Sequence, residues 1–416
     1  MSWETVKLGD ISANIQTGPF GSQLHQSDYS EQGTPVIMPK DLLNGHISEL
    51  SIARVSQNHV DRLSRHKVEV GDILYSRRGD VGRCAFATEK EQGWLCGTGC
   101  LRVTIDTEKA VPKFVFYQLQ KPETVGWIEK HAVGATMLNL NTSILSDVPI
   151  EVPCLDIQKR IVDILSAYDS LIENNQKQIK LLEEAAQRLY KEWFVDLRFP
   201  GYEDTPIVDG VPEGWKKCLL GDINCSLVSG SRPKGGIDAS LVDGVPSIGA
   251  ENVIGLGCYN YSSEKLITKD FFSKMKRGKL CDKDILIYKD GAYIGRTSLF
   301  QDGFPHLEAA VNEHVFLLHA ADEHIQYYLF FTLYQQEYYQ KMQKLNKNAA
   351  QPGINSKAMM SLPVLLPTED ILDEFDSFVT PLMHKIFILA KQNRQLEQAR
   401  DRLLPKLMSG DIESLL

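Results

Sequence analysis

The chain is written twice. Leu8, Gly9, Asp10 and Ile11 return as Leu220, Gly221, Asp222 and Ile223, and later landmarks recur in the same order at an offset of about 212 residues. The run 33–37 is answered by 244–248, 71–75 by 283–287, and Gly79 with Gly82 and Arg83 by Gly291 with Gly295 and Arg296. Leu189 and Leu403 close two similar helical stretches. A solenoid unit is about 20–50 residues long, so a period of this size duplicates a whole domain. Each copy reads as a globular segment followed by a long helix.

Two cores are affordable: 43% of residues are hydrophobic and 24% charged, the balance of an ordinary globular protein. The segment after Met1 lacks a basic stretch leading into an apolar run, and no stretch approaches the roughly 20 apolar residues of a membrane span, so a cytoplasmic protein without membrane contact is expected. The eight cysteines show no Cys-x-x-Cys pair or convergent histidine spacing, which points to reduced core thiols and no structural zinc. A net charge of −9 excludes a protein that coats nucleic acid indiscriminately. It leaves room for local basic faces, as at Arg77, Arg78 and Arg83, or Lys274, Lys276, Arg277 and Lys279.

Apolar positions then step by three and four through Ile161, Leu165, Tyr168, Ile172, Asn175, Ile179, Leu182, Ala186, Leu189 and Trp193, the spacing of a coiled-coil seam. The second copy repeats those steps from Phe375 to Leu407, and each seam holds one asparagine, Asn175 or Asn393. Antiparallel and fully overlapped, the seams set Ile161 against Leu407, Tyr168 against Arg400, Asn175 against Asn393 and Ala186 against Leu382. A parallel pairing would strand two buried amides at about 1–3 kcal/mol each, so the antiparallel register is expected. Pro405 should kink or end the second helix. Helix starts are signalled after Pro153 and Pro367, with Asp156 and Thr368 as caps, and ends by Pro200 with Gly201 and by Gly410. At about 1.5 Å per residue the first seam spans roughly 50 Å, enough to hold the globular segments more than one DNA turn apart.

The resulting class is α+β: two mixed α/β domains in tandem, separated and joined by two long helices that form an antiparallel coiled coil, with a pseudo-twofold internal repeat. The expected boundaries are 1–153 for the first domain, 154–197 for the central helix, 198–213 for a linker, 214–367 for the second domain and 368–416 for the C-terminal helix. Strands are expected within 68–75 and 101–105, and helices near 112–119 and 325–334. Glycine-rich loops come in matched pairs: 17–22 with 229–234, 76–80 with 288–291, and 134–139 with 349–354. Arginine or lysine beside glycine on a turn suits phosphate or the guanine edge, and Asn or Gln suits adenine. That chemistry selects Arg77, Arg78, Arg83, Asn139, Arg232, Lys234, Lys289, Arg296 and Gln351 as DNA-binding candidates. Shared frames with different contents suit two readers of two sequences.

No phosphate loop, nucleophile elbow, His-Glu-x-x-His or other catalytic signature is present, so the chain is expected to be non-catalytic, with no bound cofactor or metal. The alternation of domain and helix, the helix endings 182–189 and 400–410, the run 211–215 and the two Asp-Ile-Leu runs at 72–74 and 284–286 together resemble the specificity subunit of a type I restriction-modification enzyme. The resemblance covers essentially the whole chain. It implies that each globular segment is a target recognition domain for one half of a bipartite, asymmetric site in double-stranded DNA. It also implies two modification (methyltransferase) subunits using S-adenosylmethionine for adenine-N6 methylation, and restriction (motor-nuclease) subunits using ATP and magnesium, so that cofactors sit on the partners. The competing reading from the residues is a coiled-coil adaptor or architectural scaffold that binds no DNA.

Overall fold

The computed structural model describes residues 3–134, 137–346 and 352–410, and the chain divides into two compact units: residues 1–170 with 397–416, and residues 171–396. Among the described residues no helix is long and apolar enough to cross a membrane.

Unit 1 is built on a four-stranded antiparallel sheet in the order β1 (Ser12–Thr17), β4 (Cys100–Ile105), β2 (Ile73–Ser76), β3 (Cys84–Phe86). Its alternating apolar positions Ile73, Tyr75, Leu101 and Val103 face a core shared with the helix Pro112–Leu119. A second sheet contains a parallel pair, Thr34–Ile37 with Leu95–Cys96. The first strand of the domain, Glu4–Lys7, pairs with its last, Pro149–Val152. Strand structure begins at Ile73 and not at Val68, because Gly71 takes a left-handed φ of 92° that breaks the extended run.

Unit 2 repeats this plan: a sheet in the order β5 (Cys225–Ser229), β8 (Val315–Ala320), β6 (Ile285–Tyr288), β7 (Thr297–Leu299), a parallel pair Val245–Ile248 with Ala310–Val311, and a closing pair Lys216–Leu219 with Pro363–Leu366.

Two long helices, α1 (Leu155–Tyr190) and α2 (Glu369–Met408), each give one segment to each unit. In unit 1, Ile161 and Leu165 share a core with Leu407 and Met408, and Leu403 packs on it. In unit 2, Trp193 and Phe375 meet with ring centroids 5.9 Å apart, Ala186 and Leu382 join one core, and Ile179 lies beside both Ile386 and Ala390 under Gly257. These contacts follow the antiparallel register. That register puts Asn175 and Asn393 in one layer; both are buried, and Asn393 Oδ1 has no hydrogen-bond partner among the described residues.

Three further expectations need correction. Arg400 does not go to Tyr168: its Nη1 donates to Asp169, one residue on, at 3.0 Å, because the carboxylate offers a charged acceptor the ring lacks. Pro405 does not end α2, which runs to Met408, with Ser409 N donating to the Pro405 carbonyl at 2.9 Å. A proline there removes one backbone donor, while burial of Leu407 and Met408 holds the last turn in place. Of the cysteines, Cys84, Cys96 and Cys100 are buried, but Cys154, Cys258 and Cys281 are exposed, so not every thiol is a core residue.

Candidate nucleic-acid interface

At one end of the unit 1 sheet four loops are tied together by backbone bonds. Gly18 N donates to the Cys100 carbonyl (2.9 Å), Arg77 N to Gly99 (2.8 Å), Gly79 N to Leu138 (3.0 Å), and the Arg77 carbonyl accepts from Leu140 N (2.8 Å). Ser76 N closes the turn onto the Arg83 carbonyl (2.9 Å). The loop 17–22 can approach only because residue 18 is glycine, since a Cβ there would lie 1.9 Å from the Gly97 carbonyl oxygen.

Unit 2 repeats four of these five ties with different side chains, and the fifth is shifted, since Gly230 N meets Asn312, the counterpart of Gly97, where Gly18 N meets Cys100. Gly230 N donates to Asn312 (3.2 Å), Lys289 N to His314 (3.0 Å), Gly291 N to Pro352 (3.1 Å) and Tyr288 N to Arg296 (2.8 Å), while the Lys289 carbonyl accepts from Ile354 N (3.1 Å). A Cβ on Gly230 would lie 1.6 Å from the Val311 carbonyl oxygen. Isolated bridges pair Arg78 with Asn139 in one unit and Asp290 with Gly353 in the other. The frame thus equates Arg77 with Lys289, Arg78 with Asp290, Gly99 with His314, Thr98 with Glu313, and Arg83 with Arg296. Gly79 and Gly291 both take positive φ, 75° and 125°, which turns the chain at the tip.

This frame brings together Arg77, Arg78 and Asn139. Arg78 is exposed, whereas Arg77 is partly covered, with its Nε unbonded, and Asn139 Oδ1 and Thr98 Oγ1 are likewise unpartnered among the described residues. Arg83 is held within its own turn by Asp80 (2.8 and 3.1 Å) and by the Pro39 carbonyl. Phe20 and Met137 stand exposed on the flanking loops.

In unit 2, Arg232 is 64% exposed and paired with Glu313 at 2.9 Å. Lys234 is exposed. The Lys289 side chain is only 19% exposed, with its ammonium 2.5 Å from Asp290 and 5.5 Å from the centre of the Phe316 ring. Arg296 stacks on Tyr293 at 4.1 Å. Gln351 lies outside the described residues. The acids were missed by sequence reading: Asp290 takes Lys289 and His314 (3.1 Å) on its Oδ2, and His314 is 3.6 Å from Glu313. Lys289, Asp290 and His314 line a groove of 820 Å³ whose wall includes Glu251 and Asn355. Burial pushes the Glu251 carboxyl up, but its bond to Lys265 (2.8 Å), a backbone hydrogen bond and the Lys265 charge together outweigh that and hold it below the usual range. A signal was present in the matched loops, where the arginines of one copy are a lysine and an acid in the other.

The model of the type I restriction modification DNA specificity domain matches this chain twice, over residues 1–184 and 212–398. The chain belongs to that family. It is a specificity subunit of a type I restriction-modification system with two recognition domains. Among similar proteins, the type I restriction enzyme MjaIX specificity subunit of Methanocaldococcus jannaschii is 26% identical over 99% of this chain and 93% of its own length. The HindI specificity subunit of Haemophilus influenzae is 23% identical over 99% of each. In fold, the type I S subunit from M. genitalium superimposes with a TM-score of 0.58 at 17% identity, covering 98% of this chain and 96% of that one. The register residues of this specificity subunit lie on α1 and α2, and Arg77, Arg78, Asn139 and Lys289 lie on the tied loops at the ends of its two sheets.

Proposed function

We propose that the two recognition domains read the two halves of a bipartite, asymmetric DNA site, and that the chain scaffolds a complex in which others carry out the chemistry. The observation that carries this is the loop frame: two sets of matching backbone bonds present different polar side chains, which is what two readers of unlike sequences require. The proposed partners are double-stranded DNA, two modification subunits that supply S-adenosylmethionine-dependent adenine-N6 methylation, and restriction subunits that supply ATP- and magnesium-dependent cleavage. The paired helices are proposed to set the gap between half-sites, and the location to be the cytoplasm.

Adenine methylation mapped in DNA from cells with and without this chain tests the reading. One split motif, methylated only when the chain is present, is the expected result. An unchanged methylation map, together with equal affinity of the assembled complex for all sequences at every salt concentration, would instead favour a scaffold without DNA specificity.

A further inference from the structure

The equivalence of Arg78 and Asp290 carries more than a difference in loop content. In both domains the residue is the second after a core strand, is bridged to the last of the four loops, and precedes a glycine of positive φ. The same backbone position thus presents a pure donor in one domain and a pure acceptor in the other.

A bare carboxylate facing DNA would be repelled by phosphates, yet Asp290 is not bare. Lys289 and His314 both bind its Oδ2, at 2.5 and 3.1 Å, and Arg232 neutralises the neighbouring Glu313 at 2.9 Å. Lys289 is itself pinned against Phe316. Among the described residues none donates to Oδ1, and the carboxylate is part exposed at the groove. Its charge is therefore offset on one oxygen while the other is left to accept.

We propose, resting on the reading that these domains bind a split DNA site, that the two half-sites are read with opposite hydrogen-bonding chemistry. Arg78 donates to the O6 and N7 edge of a guanine in one half, and Asp290 accepts from the N4 amine of a cytosine in the other. Lys289 and His314 are positioning residues that aim the carboxylate, and Lys289 offsets its charge.

The test uses the full chain assembled with its modification subunits and a pool of random duplex DNA, from which bound fragments are selected and sequenced. Asp290→Asn keeps the side chain's shape and adds a donor. It is expected to relax one position of one half-site from cytosine toward adenine, with discrimination there falling about 10- to 100-fold and the other half untouched. Arg78→Gln is expected to relax a guanine in the opposite half by a similar factor. Lys289→Met is expected to lower affinity and make its salt dependence shallower without changing the preferred base. The inference is overturned if Asp290→Asn leaves every base preference unchanged, or weakens all sequences equally as loss of a structural ion pair would. A wild-type complex with no sequence preference at all would instead defeat the underlying reading of function.

Discussion

Unit 1 closes its share of the helix pair with charge, and unit 2 closes its share with rings. In unit 1, Asp169 on α1 accepts from Arg400 of α2 and from the Tyr117 hydroxyl, with Lys113 at 3.7 Å. In unit 2, Tyr190, Trp193 and Phe194 meet Phe375, with Phe194 and Phe375 4.9 Å apart nearly edge-to-face and Phe194 and Tyr328 at 4.8 Å. Rings bring large apolar area out of water at no cost in desolvated charge. A half-buried carboxylate and guanidinium lose hydration that their attraction only partly restores, but they tolerate one partner and one geometry. Stability is thus concentrated in the aromatic segment, and directional matching in the charged one.

Removing a ring should have the largest effect. Phe375 is fully buried, so Phe375→Ala is expected to destabilise unit 2 by about 3–5 kcal/mol. Hydrogen exchange resolved by unit would show faster opening in 171–396 and little change in 1–170. Equal acceleration in both would mean that they unfold as one cooperative body, and the contrast between segments would lose its meaning.

Acid should reverse the order. His66 is 2% exposed, and burial, with Arg65 and Arg102 nearby, lowers its pKa to about 4 from the ordinary 6.5. The unfolded chain takes up a proton below about 6.5 while the folded chain resists until about 4, so stability falls as pH drops through that window and levels off beneath it. The loss attributable to His66 is on the order of 2–3 kcal/mol. Its structural counterpart is Gly278, since bridges pair Lys67 with Leu95 and Lys279 with Ala310, so this sensitivity belongs to unit 1 alone. Stability measured between pH 7 and 4 should fall faster in wild type than in His66→Gln, and parallel slopes would refute the assignment.

Next in size is the charged layer itself. Asp169→Ala leaves Arg400 and Lys113 facing each other without their shared carboxylate, and a loss of about 1–3 kcal/mol is expected. Asp169→Leu with Arg400→Met should recover most of it, because a matched apolar pair has no charge to desolvate. If the double variant is as unstable as the single one, the pair contributes net stability and not merely matching.

These contrasts were unevenly legible in the sequence. The seam spacing carried the helix pairing, because the three-four period depends only on local geometry, and Trp193 against Phe375 follows from it. The matched glycine loops were legible for the same reason: Gly18 and Gly230 mark a close backbone approach that no other residue permits. What escaped were pairings across the sheet. Asp290 and His314 are 24 positions apart and meet only because β6 and β8 are neighbours. Lys289 was selected as a DNA-binding candidate from its loop alone, and Phe316, on the adjacent strand, places a ring beside it that the sequence did not announce. The partner of Arg400 was missed by one residue, since a seam pattern sets helix rotation but not which flanking side chain a long guanidinium reaches.

The smallest effect belongs to the one polar layer inside unit 2. Asn175 and Asn393 are each 7% exposed, and Asn393 Oδ1 lacks a partner among the described residues, so the layer carries an uncompensated desolvation cost. Replacing both, Asn175→Leu with Asn393→Leu, is expected to raise the stability of unit 2 by about 1 kcal/mol, because two apolar side chains of similar size fill the layer without an orphaned oxygen. Asn175→Leu alone should do worse than the pair, since it removes the neighbouring amide and keeps the orphan. Urea midpoints for the three proteins decide the matter. A double variant less stable than wild type would mean that the amides bind each other or water, and the polar layer would then belong with Asp169 and Arg400 as a matched contact and not as a cost the seam carries to hold its register.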